Sequence, residues 1–298
     1  MNQFAVQLHN VKKAYKYFRL DLEQLELPTG SIMGFIGANG AGKSTTLRLL
    51  MGLIAQDSGE IEVLGRKVSS NDTANKWDIG YVSEDMRLYN AATLEWHMNF
   101  IRSIYKNWDE AYAKQLLKRF DLRKEQKLKG FSHGQRVKAT LLLALARRPK
   151  LLVLDEPTTG LDPIARSEVL NELMAVLSDD QRSVLFSSQN TLDVEQISDQ
   201  ITFIDRGKIV NSSDKESYLQ RWRRVRLELP SDLRLPKLPE VVSSKGEGRL
   251  VVVTTDQYSS EMTAKYNAFG ATVRSVETMT LEEIFVANVQ HRREKDAA

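Results

Sequence analysis

A glycine-rich segment, GANGAGKST (37–45), constrains the fold of this chain more than any other feature. It follows the apolar run SIMGFIG (31–37), which is typical of a strand, and it opens a stretch from Gly42 to Ile54 with apolar residues at helical spacing. Strand, glycine loop and helix in this order match the phosphate-binding pattern G-x-x-x-x-G-K-[ST]. In such a loop, backbone N–H groups converge on a phosphate, and the helix N-terminus adds partial positive charge. The segment therefore predicts a phosphate site in an α/β fold.

The residue types within this loop predict separate roles. Lys43 is expected to pair with the β- and γ-phosphates, and Ser44 is expected to offer its hydroxyl to Mg²⁺. The other loop positions that we expect at the nucleotide are Gly37, Asn39, Gly40, Gly42 and Thr45.

A pair of acids follows the apolar run of LLVLDEP (151–157). Four consecutive apolar residues are typical of a buried parallel strand, which would end beside the phosphate loop. Asp155 at the strand end is predicted to hold magnesium through water. Glu156 is predicted to polarise the water that attacks the γ-phosphate. An acidic pair at a strand end is usually only a solvated edge, but the phosphate loop upstream favours the catalytic interpretation.

Short apolar strands alternate with helical segments along the rest of the first two thirds of the chain. Further strands are predicted at 4–11, 20–27, 60–64, 79–82, 183–187 and 201–205, and helices at 164–177 and 191–198. This alternation predicts a mostly parallel sheet with helices on both faces.

The composition of the sequence changes after Gly207, where arginines and prolines become frequent. RWRRVR (221–226) and the proline-rich segment 229–240 are interpreted as a boundary, with RWRRVR as a solvated basic linker or, alternatively, a phosphate-binding patch. Beyond them, a strand at 251–255, a helical face from Tyr258 to Phe269, a strand at 271–276 and a helix at 281–289 are expected, followed by a frayed tail.

Composition excludes several classes of function. The chain of 298 residues is 42% hydrophobic and 27% charged, and its net charge of +3 gives no reason to expect a nucleic-acid partner. The absence of cysteine excludes disulfides and cysteine-based zinc sites, and fits a reducing compartment. No apolar run approaches the ~20 residues of a membrane helix.

Taken with their order along the chain, the motifs resemble the ATP-binding cassette (ABC) ATPase family over about residues 3–210. GYVSED (80–85) and LEEIF (281–285) look like the cassette subunits of bacterial two-component exporters of the antibiotic and acetoin type. The resemblance implies an α/β P-loop NTPase cassette with a mostly parallel core sheet, an antiparallel β subdomain and a helical subdomain at about 86–150. This nucleotide-binding domain would occupy 1–215, and a small α+β accessory domain would occupy 216–298.

The resemblance implies ATP and Mg²⁺ as cofactors, and it assigns further site residues. The signature turn would contact the γ-phosphate held by a second cassette, and it comprises Ser132, His133, Gly134 and Gln135. Tyr15 would stack on adenine, with Tyr17 as the substitute, although a core aromatic is the alternative. Glu84 would approach Mg²⁺ where many members have glutamine, and Asp162 would reach across the dimer.

Two positions depart from the family pattern. His133 stands where glycine is commoner, and it is interpreted as a tolerated surface residue that could loosen closure. Gln189, in FSSQN (186–190), replaces the switch histidine and offers only a neutral hydrogen bond to the γ-phosphate. Because Glu156 is retained, the sequence predicts a slow but active ATPase.

The resemblance implies a cassette that pairs with itself or with another cassette and powers a separate integral membrane permease, which is expected to be an exporter. The permease is expected to dock near residues 84–105, and the chain would then lie in the cytoplasm at the inner face of the cell membrane. Two alternatives stay open at this point: a soluble ABC ATPase acting on nucleic acid or ribosomes, and a regulatory cassette with little hydrolysis.

Overall fold

The computed structural model describes residues 3–69, 74–177, 181–230, 235, 240–247 and 249–297. The chain divides into two compact units, Met1–Ile209 and Val210–Ala298. The domain boundary that we drew from the sequence, after residue 215, stays a prediction. No described helix is long and apolar enough to cross a membrane.

The first unit contains the strands β1 (Phe4–Tyr15), β2 (Phe18–Pro28), β3 (Ile32–Ile36), β4 (Ser58–Val63), β5 (Arg66–Lys67), β6 (Ile79–Ser83), β7 (Leu151–Asp155), β8 (Ser183–Ser188) and β9 (Gln200–Asp205). The next strand, β10 (Lys208–Asp214), runs from the first unit into the second.

These strands form two sheets. One is a four-stranded sheet of order β2-β1-β4-β5, in which each neighbouring pair is antiparallel. The other has six strands in the order β10-β9-β3-β8-β7-β6, with parallel pairing from β9 through to β6. All residues of β3 and β7 are buried, which explains why both strands have almost wholly apolar sequences. The predicted fold class is confirmed.

The helices of the first unit are α1 (Lys43–Leu50), α2 (Leu94–Ile104), α3 (Glu110–Arg119), α4 (His133–Leu145), α5 (Pro163–Val176) and α6 (Thr191–Ile197). α1 is shorter than the predicted 42–54, because Gly52 adopts a positive φ of 61° just after the C-cap Met51. α3 begins after Asp109, whose side chain accepts from the Tyr112 N–H and caps the helix.

The second unit is an α+β structure. Its elements are α7 (Lys215–Arg221), β11 (Arg223–Glu228), β12 (Val241–Glu247), β13 (Leu250–Thr255), α8 (Ser260–Ala268), β14 (Thr272–Thr278) and α9 (Leu281–Ala297). The sheet order is β12-β13-β11-β14, and every neighbouring pair is antiparallel. Its core cluster includes Val225, Leu227, Val253, Met262 and Tyr266.

The interpretation of RWRRVR (221–226) as a basic linker is wrong. Its residues from Arg223 onwards form β11, an inner strand of the second sheet, and Trp222 and Val225 are fully buried. Arg224 faces away from that core and pairs with Glu283 at 3.0 Å. Arg224 and Arg226 therefore form the polar side of an alternating strand, where each pairs with a glutamate, rather than a free patch. Most of the proline-rich segment 229–240 lies outside the described residues.

The predicted elements near the C-terminus also change in extent. The tail that was expected to fray continues α9 as far as Ala297, so this helix is much longer than the predicted 281–289. On α8, Met262 and Tyr266 are buried as expected, whereas Phe269 is 47% exposed. β12 was not predicted, because the sequence SSKGE within it lacks the alternating apolar pattern.

Candidate nucleotide-binding site

The phosphate loop connects the buried strand β3 to α1, as the sequence predicts. Gly42 caps α1 with a φ of 115° and no side-chain hydrogen bond, so the first N–H groups of the helix have no side-chain partner there. A Cβ at Gly42 would lie 2.7 Å from Leu20 Cδ1, and one at Gly37 would lie 2.6 Å from the Ile204 carbonyl oxygen. Gly37 therefore requires glycine because backbone lies too close, and Gly42 requires it because side chains rarely adopt its φ.

A cleft opens around this loop. Its lining residues are Phe18, Ala38, Asn39, Gly40, Gly42, Lys43, Ser44, Thr45, Glu84 and Glu156. The structure thus brings together the loop residues and two of the acids that the sequence singled out from distant segments.

Lys43 and Glu156 form a buried ion pair in this cleft. The Lys43 Nζ atom lies 3.1 Å from Glu156 Oε1, and the two side chains are only 6% and 10% exposed. The same ammonium donates to the Gly37 carbonyl at 2.7 Å. Since a buried charge without a partner is costly, each ion depends on the other while no phosphate is bound. The sequence predicted both residues but not this contact between them.

The backbone of Glu156 is held in an uncommon conformation. Its φ is +52°, in the left-handed region that side chains rarely adopt. Its N–H donates to the carbonyl and hydroxyl of Ser187 at the end of β8, at 3.2 and 3.1 Å. Its Oε2 accepts from the Thr159 hydroxyl at 3.1 Å and from the Gln189 N–H at 3.4 Å. The surrounding loop therefore fixes where this carboxylate points.

Gln189 has an exposed position next to this carboxylate. Its described contact with Glu156 is made by the backbone, which any residue type at this position could supply. The side-chain role predicted from the sequence stays a prediction.

The proposed magnesium ligands offer the oxygen atoms that this ion prefers. Asp155 lies buried at the end of β7, and its Oδ1 accepts from the Ser187 hydroxyl at 2.6 Å. The Glu84 N–H donates to the Asp155 carbonyl at 3.2 Å, and both Glu84 and Ser44 border the phosphate-loop cleft. Within the described residues no cluster of three or more His, Cys, Asp or Glu side chains could hold a metal by itself. The ligands available thus suit an ion that also binds phosphate oxygens and water.

The signature turn lies at the start of α4 and is capped by its own side chains. The Ser132 hydroxyl accepts from the Gln135 N–H at 3.2 Å, and the Gln135 side chain accepts from the Ser132 N–H at 2.9 Å. Ser132 and His133 are exposed, and Gly134 and Gln135 are half-buried. None of these four residues appears among the described residues that line the phosphate-loop cleft of their own chain.

The loop after the acids is anchored at both ends. The Thr158 hydroxyl donates to the buried Asp193 at 2.6 Å. Asp162 caps α5 by accepting from the N–H groups of Ile164 and Ala165, both at 2.9 Å. The hydrogen bond from Ala165, followed by that from Ile164, lowers the pKa of Asp162 below its ordinary value. Asp162 is exposed, so its side chain is available at the surface where the sequence places a dimer contact.

The aromatic residues near the loop differ from the prediction in one respect. Tyr15 is 47% exposed at the end of β1, so the alternative of a core aromatic is wrong. Its ring contacts Phe18 with centroids 6.4 Å apart, and it is Phe18 that lines the cleft. The sequence analysis missed Phe18, although the short Lys16-Tyr17 turn of the β1–β2 hairpin places Tyr15 opposite it.

Comparisons with known proteins place the chain in one family and one fold. The family model described as ABC transporter matches residues 20–159. The ABC transporter ATP-binding protein YtrB of Bacillus subtilis is 27% identical over 90% of this chain and 92% of its own length. The lantibiotic transport ATP-binding protein SrtF of Streptococcus pyogenes is 34% identical over 69% of this chain and 89% of its own length. A solved ATP-binding subunit of an ABC transporter superposes with a TM-score of 0.65 at 25% identity, over 72% of this chain and 92% of that one.

The fold and the cleft define a nucleotide-binding cassette built around a phosphate loop and an acidic strand end. The chain belongs to the ATP-binding proteins of the ABC transporter family. It is an ATPase, and its function is that of the ATP-binding and ATP-hydrolysing subunit of an ABC transporter.

Proposed function

We propose that two cassettes close around two ATP molecules, with each phosphate loop facing the signature turn of the other cassette. Closure then drives a separate membrane permease that exports its substrate. In this arrangement the chain is bound to its permease on the cytoplasmic side of the cell membrane.

The observation that carries this proposal is the separation of the signature turn from the cleft of its own chain. Lys43 and Glu156 border the phosphate-loop cleft, whereas Ser132 is exposed at the start of α4 and does not line that cleft. A helix N-terminus carries partial positive charge, which favours a phosphate brought to it. One chain therefore offers a phosphate loop and, outside the cleft of that loop, a second helix start suited to a phosphate.

The residues of one chain then have separate roles at the triphosphate. Lys43 exchanges its Glu156 partner for the β- and γ-phosphates, and the freed carboxylate of Glu156 polarises the attacking water. Ser44, Asp155 and Glu84 would hold Mg²⁺, which would neutralise charge on the phosphates. Gln189 adds a neutral donor, for which we expect slower hydrolysis than with a charged one.

The proposed docking surface for the permease lies on α2 and the segment before it. Trp96 and Phe100 stack with centroids 5.4 Å apart and planes inclined by 3°, and Tyr89 packs against Trp96. The rings of Trp96, Phe100 and Tyr89 are 49%, 50% and 66% exposed, so they do not belong to the core. Exposed aromatic side chains are enriched in the centres of protein interfaces. A helix of the permease is the partner that the proposal requires.

Export, rather than import, is the direction we infer. SrtF is by name a transport protein for a lantibiotic, and the exporter-like segments GYVSED (80–85) and LEEIF (281–285) occur in this chain. In the structure these segments fall on the end of β6 and on the first turn of α9.

Complementation between two inactive variants tests the composite site. Lys43→Ala removes the phosphate contact, and Ser132→Arg places bulk and positive charge in the signature turn. Each variant alone should hydrolyse ATP at under about 1% of the wild-type rate, because each homodimer has two damaged sites. Co-expressed with different affinity tags and purified as a mixed dimer, they should recover roughly half the activity, since one site then combines two intact halves.

The control places both substitutions on one chain and pairs it with the wild type. Each composite site then contains one damaged half, so this dimer should stay inactive although it holds the same substitutions. Equal activity in the two mixed dimers would contradict the composite site. Copurification of the wild type, but not of a Trp96→Glu/Phe100→Glu variant, with a polytopic membrane protein tests the docking surface.

A further inference from the structure

The side chain of His133 connects the signature turn to the loop that follows the acids in the same chain. Its Nε2 atom lies 3.0 Å from the carbonyl oxygen of Thr159. A carbonyl oxygen can only accept, so Nε2 must carry the hydrogen. The imidazole also packs on Gly160, where an added Cβ would lie 3.2 Å from Nε2. Glycine at position 133 could not make this contact.

Thr159 leads directly to the proposed catalytic carboxylate. Its hydroxyl donates to Glu156 Oε2 at 3.1 Å, and its N–H donates to the Glu156 carbonyl at 3.3 Å. The other carboxylate oxygen faces Lys43 Nζ at 3.1 Å. A single residue, Thr159, thus lies between the imidazole and Glu156.

The loop that follows Glu156 is restrained on two sides, and the His133 imidazole provides one of the two restraints. Thr158 is fixed by the buried Asp193, which also pairs with Arg166. This anchor holds the loop on the α6 side, whereas the described contact of the 159–160 segment towards α4 is the one from His133. Glu156 keeps its unfavourable positive φ only while the surrounding loop restrains it. Loosening the His133 side would therefore let the carboxylate drift.

We infer that His133 is a positioning residue for Glu156 of its own chain, acting through the Thr159 carbonyl. The inference rests on the proposed function, because it takes Glu156 as the group that polarises the attacking water. It goes beyond the contact of the signature turn with the partner's nucleotide, since it assigns the histidine ring a role towards the nucleotide on its own phosphate loop.

Two substitutions separate the hydrogen bond from the bulk of the ring. His133→Phe keeps a planar ring but removes the donor, and it should lower kcat about 3- to 10-fold with little change in the KM for ATP, as expected for one net hydrogen bond. His133→Gln retains an N–H donor at similar reach and should restore kcat to within about 2-fold of the wild type. An equal loss in both variants, or a loss expressed in KM alone, would overturn the inference.

A mixed dimer distinguishes action within the chain from action on the partner. One subunit carries Glu156→Gln, so the only working acid belongs to the other subunit. His133→Phe is then placed either on the subunit with the working Glu156 or on its mate. The inference requires the loss of kcat in the first placement, and a loss confined to the second would overturn it.

A spectroscopic readout needs neither a dimer nor hydrolysis. In the nucleotide-free protein, the ¹⁵N shifts of the His133 ring should show a protonated Nε2, and the Thr159→Ala variant should retain it because the acceptor is the backbone. A ring with Nε2 unprotonated would overturn the inference. Failure of the proposed function would instead appear as failed complementation between Lys43→Ala and Ser132→Arg, which this measurement does not involve.

Discussion

The two helices that we expect to face a triphosphate, α1 and α4, begin in opposite ways. α1 starts at Gly42, with a φ of 115° and no side-chain cap, so its first N–H groups are left for a ligand. α4 starts at Ser132, where a reciprocal pair of hydrogen bonds with Gln135 satisfies both ends of the first turn. The start of α1 thus has no side-chain cap, whereas side chains satisfy two of the N–H groups at the start of α4.

This difference suggests that α1 serves nucleotide binding by one chain and that α4 serves the pairing of two cassettes. The start of α1 depends on backbone geometry, so damage there should remove affinity for nucleotide. The start of α4 is exposed to solvent, and its own cap stabilises it. It can therefore keep its structure before a second cassette binds. Damage at Ser132 should therefore affect stability and hydrolysis far more than the binding of ATP to a single chain.

Glu156→Gln should give the largest effect, because it removes the carboxylate beside the α1 phosphate site. We expect kcat to fall at least about 100-fold, the usual scale for a missing general base. ATP binding should persist, since Lys43 no longer has to leave a charged partner. Steady-state turnover and equilibrium nucleotide titration measure the two quantities. Glu125→Gln, an exposed residue of the same type, is the control, and comparable rates in all three proteins would contradict the role of Glu156.

Gly42→Ala and Gly40→Ala test whether the start of α1 has room for a side chain. Both glycines have positive φ, but a Cβ at Gly42 meets Leu20 at 2.7 Å, whereas at Gly40 it meets nothing within 4 Å. Gly42→Ala should weaken ATP binding at least about 10-fold and lower the free energy of unfolding by about 2 kcal/mol. Gly40→Ala should cost only about 1 kcal/mol, from its backbone alone. Denaturant titrations and ATP titrations decide this, and equal effects would argue against the clash.

Ser132→Ala tests whether the cap of α4 does more than stabilise its helix. Thr93→Ala is the matched control, because Thr93 caps α2 through the Trp96 N–H at 3.1 Å. Both variants should lose about 1 kcal/mol of unfolding free energy. Only Ser132→Ala should also lower the ATPase rate, by several-fold. If the two variants hydrolyse ATP equally, the signature turn contributes nothing beyond its cap.

Gln189→His should give the smallest effect. A histidine donates a stronger hydrogen bond when protonated, so we expect the rate to hold or to rise by up to about 5-fold. The backbone contact of residue 189 with Glu156 Oε2 should persist in the variant. Pre-steady-state measurement of phosphate release detects such a change. A clear fall in rate would show that the amide side chain is itself required.

Sequence reasoning succeeded where local pattern and tertiary structure coincide. The strands β3 and β7 are buried on both faces, so their apolar runs mark them with little ambiguity. The phosphate loop lies where its motif requires. The prediction for RWRRVR was wrong because it gave more weight to the charges than to the alternating apolar residues Val225 and Leu227, which are buried. The neighbouring Arg224 forms an ion pair with Glu283, which is distant in sequence.

The contacts within the site were beyond such reasoning for a physical reason. The Lys43–Glu156 ion pair and the His133–Thr159 hydrogen bond each join segments that meet only through the packing of the sheet and α4. Spacing along the chain can predict which residues approach the same sheet edge. It does not predict which rotamer each side chain adopts there, so His133 looked like a tolerated surface residue.

The positive φ of Glu156 strains the backbone, whereas the length of the glutamate side chain brings its carboxylate towards the γ-phosphate. Aspartate and asparagine adopt left-handed backbone several-fold more readily than most residues, so a shorter side chain would relieve the loop. Aspartate would also withdraw the carboxylate by one methylene from the γ-phosphate. Glu156→Asp should therefore raise the melting temperature while slowing turnover, which makes this backbone angle a local case of stability and activity in opposition.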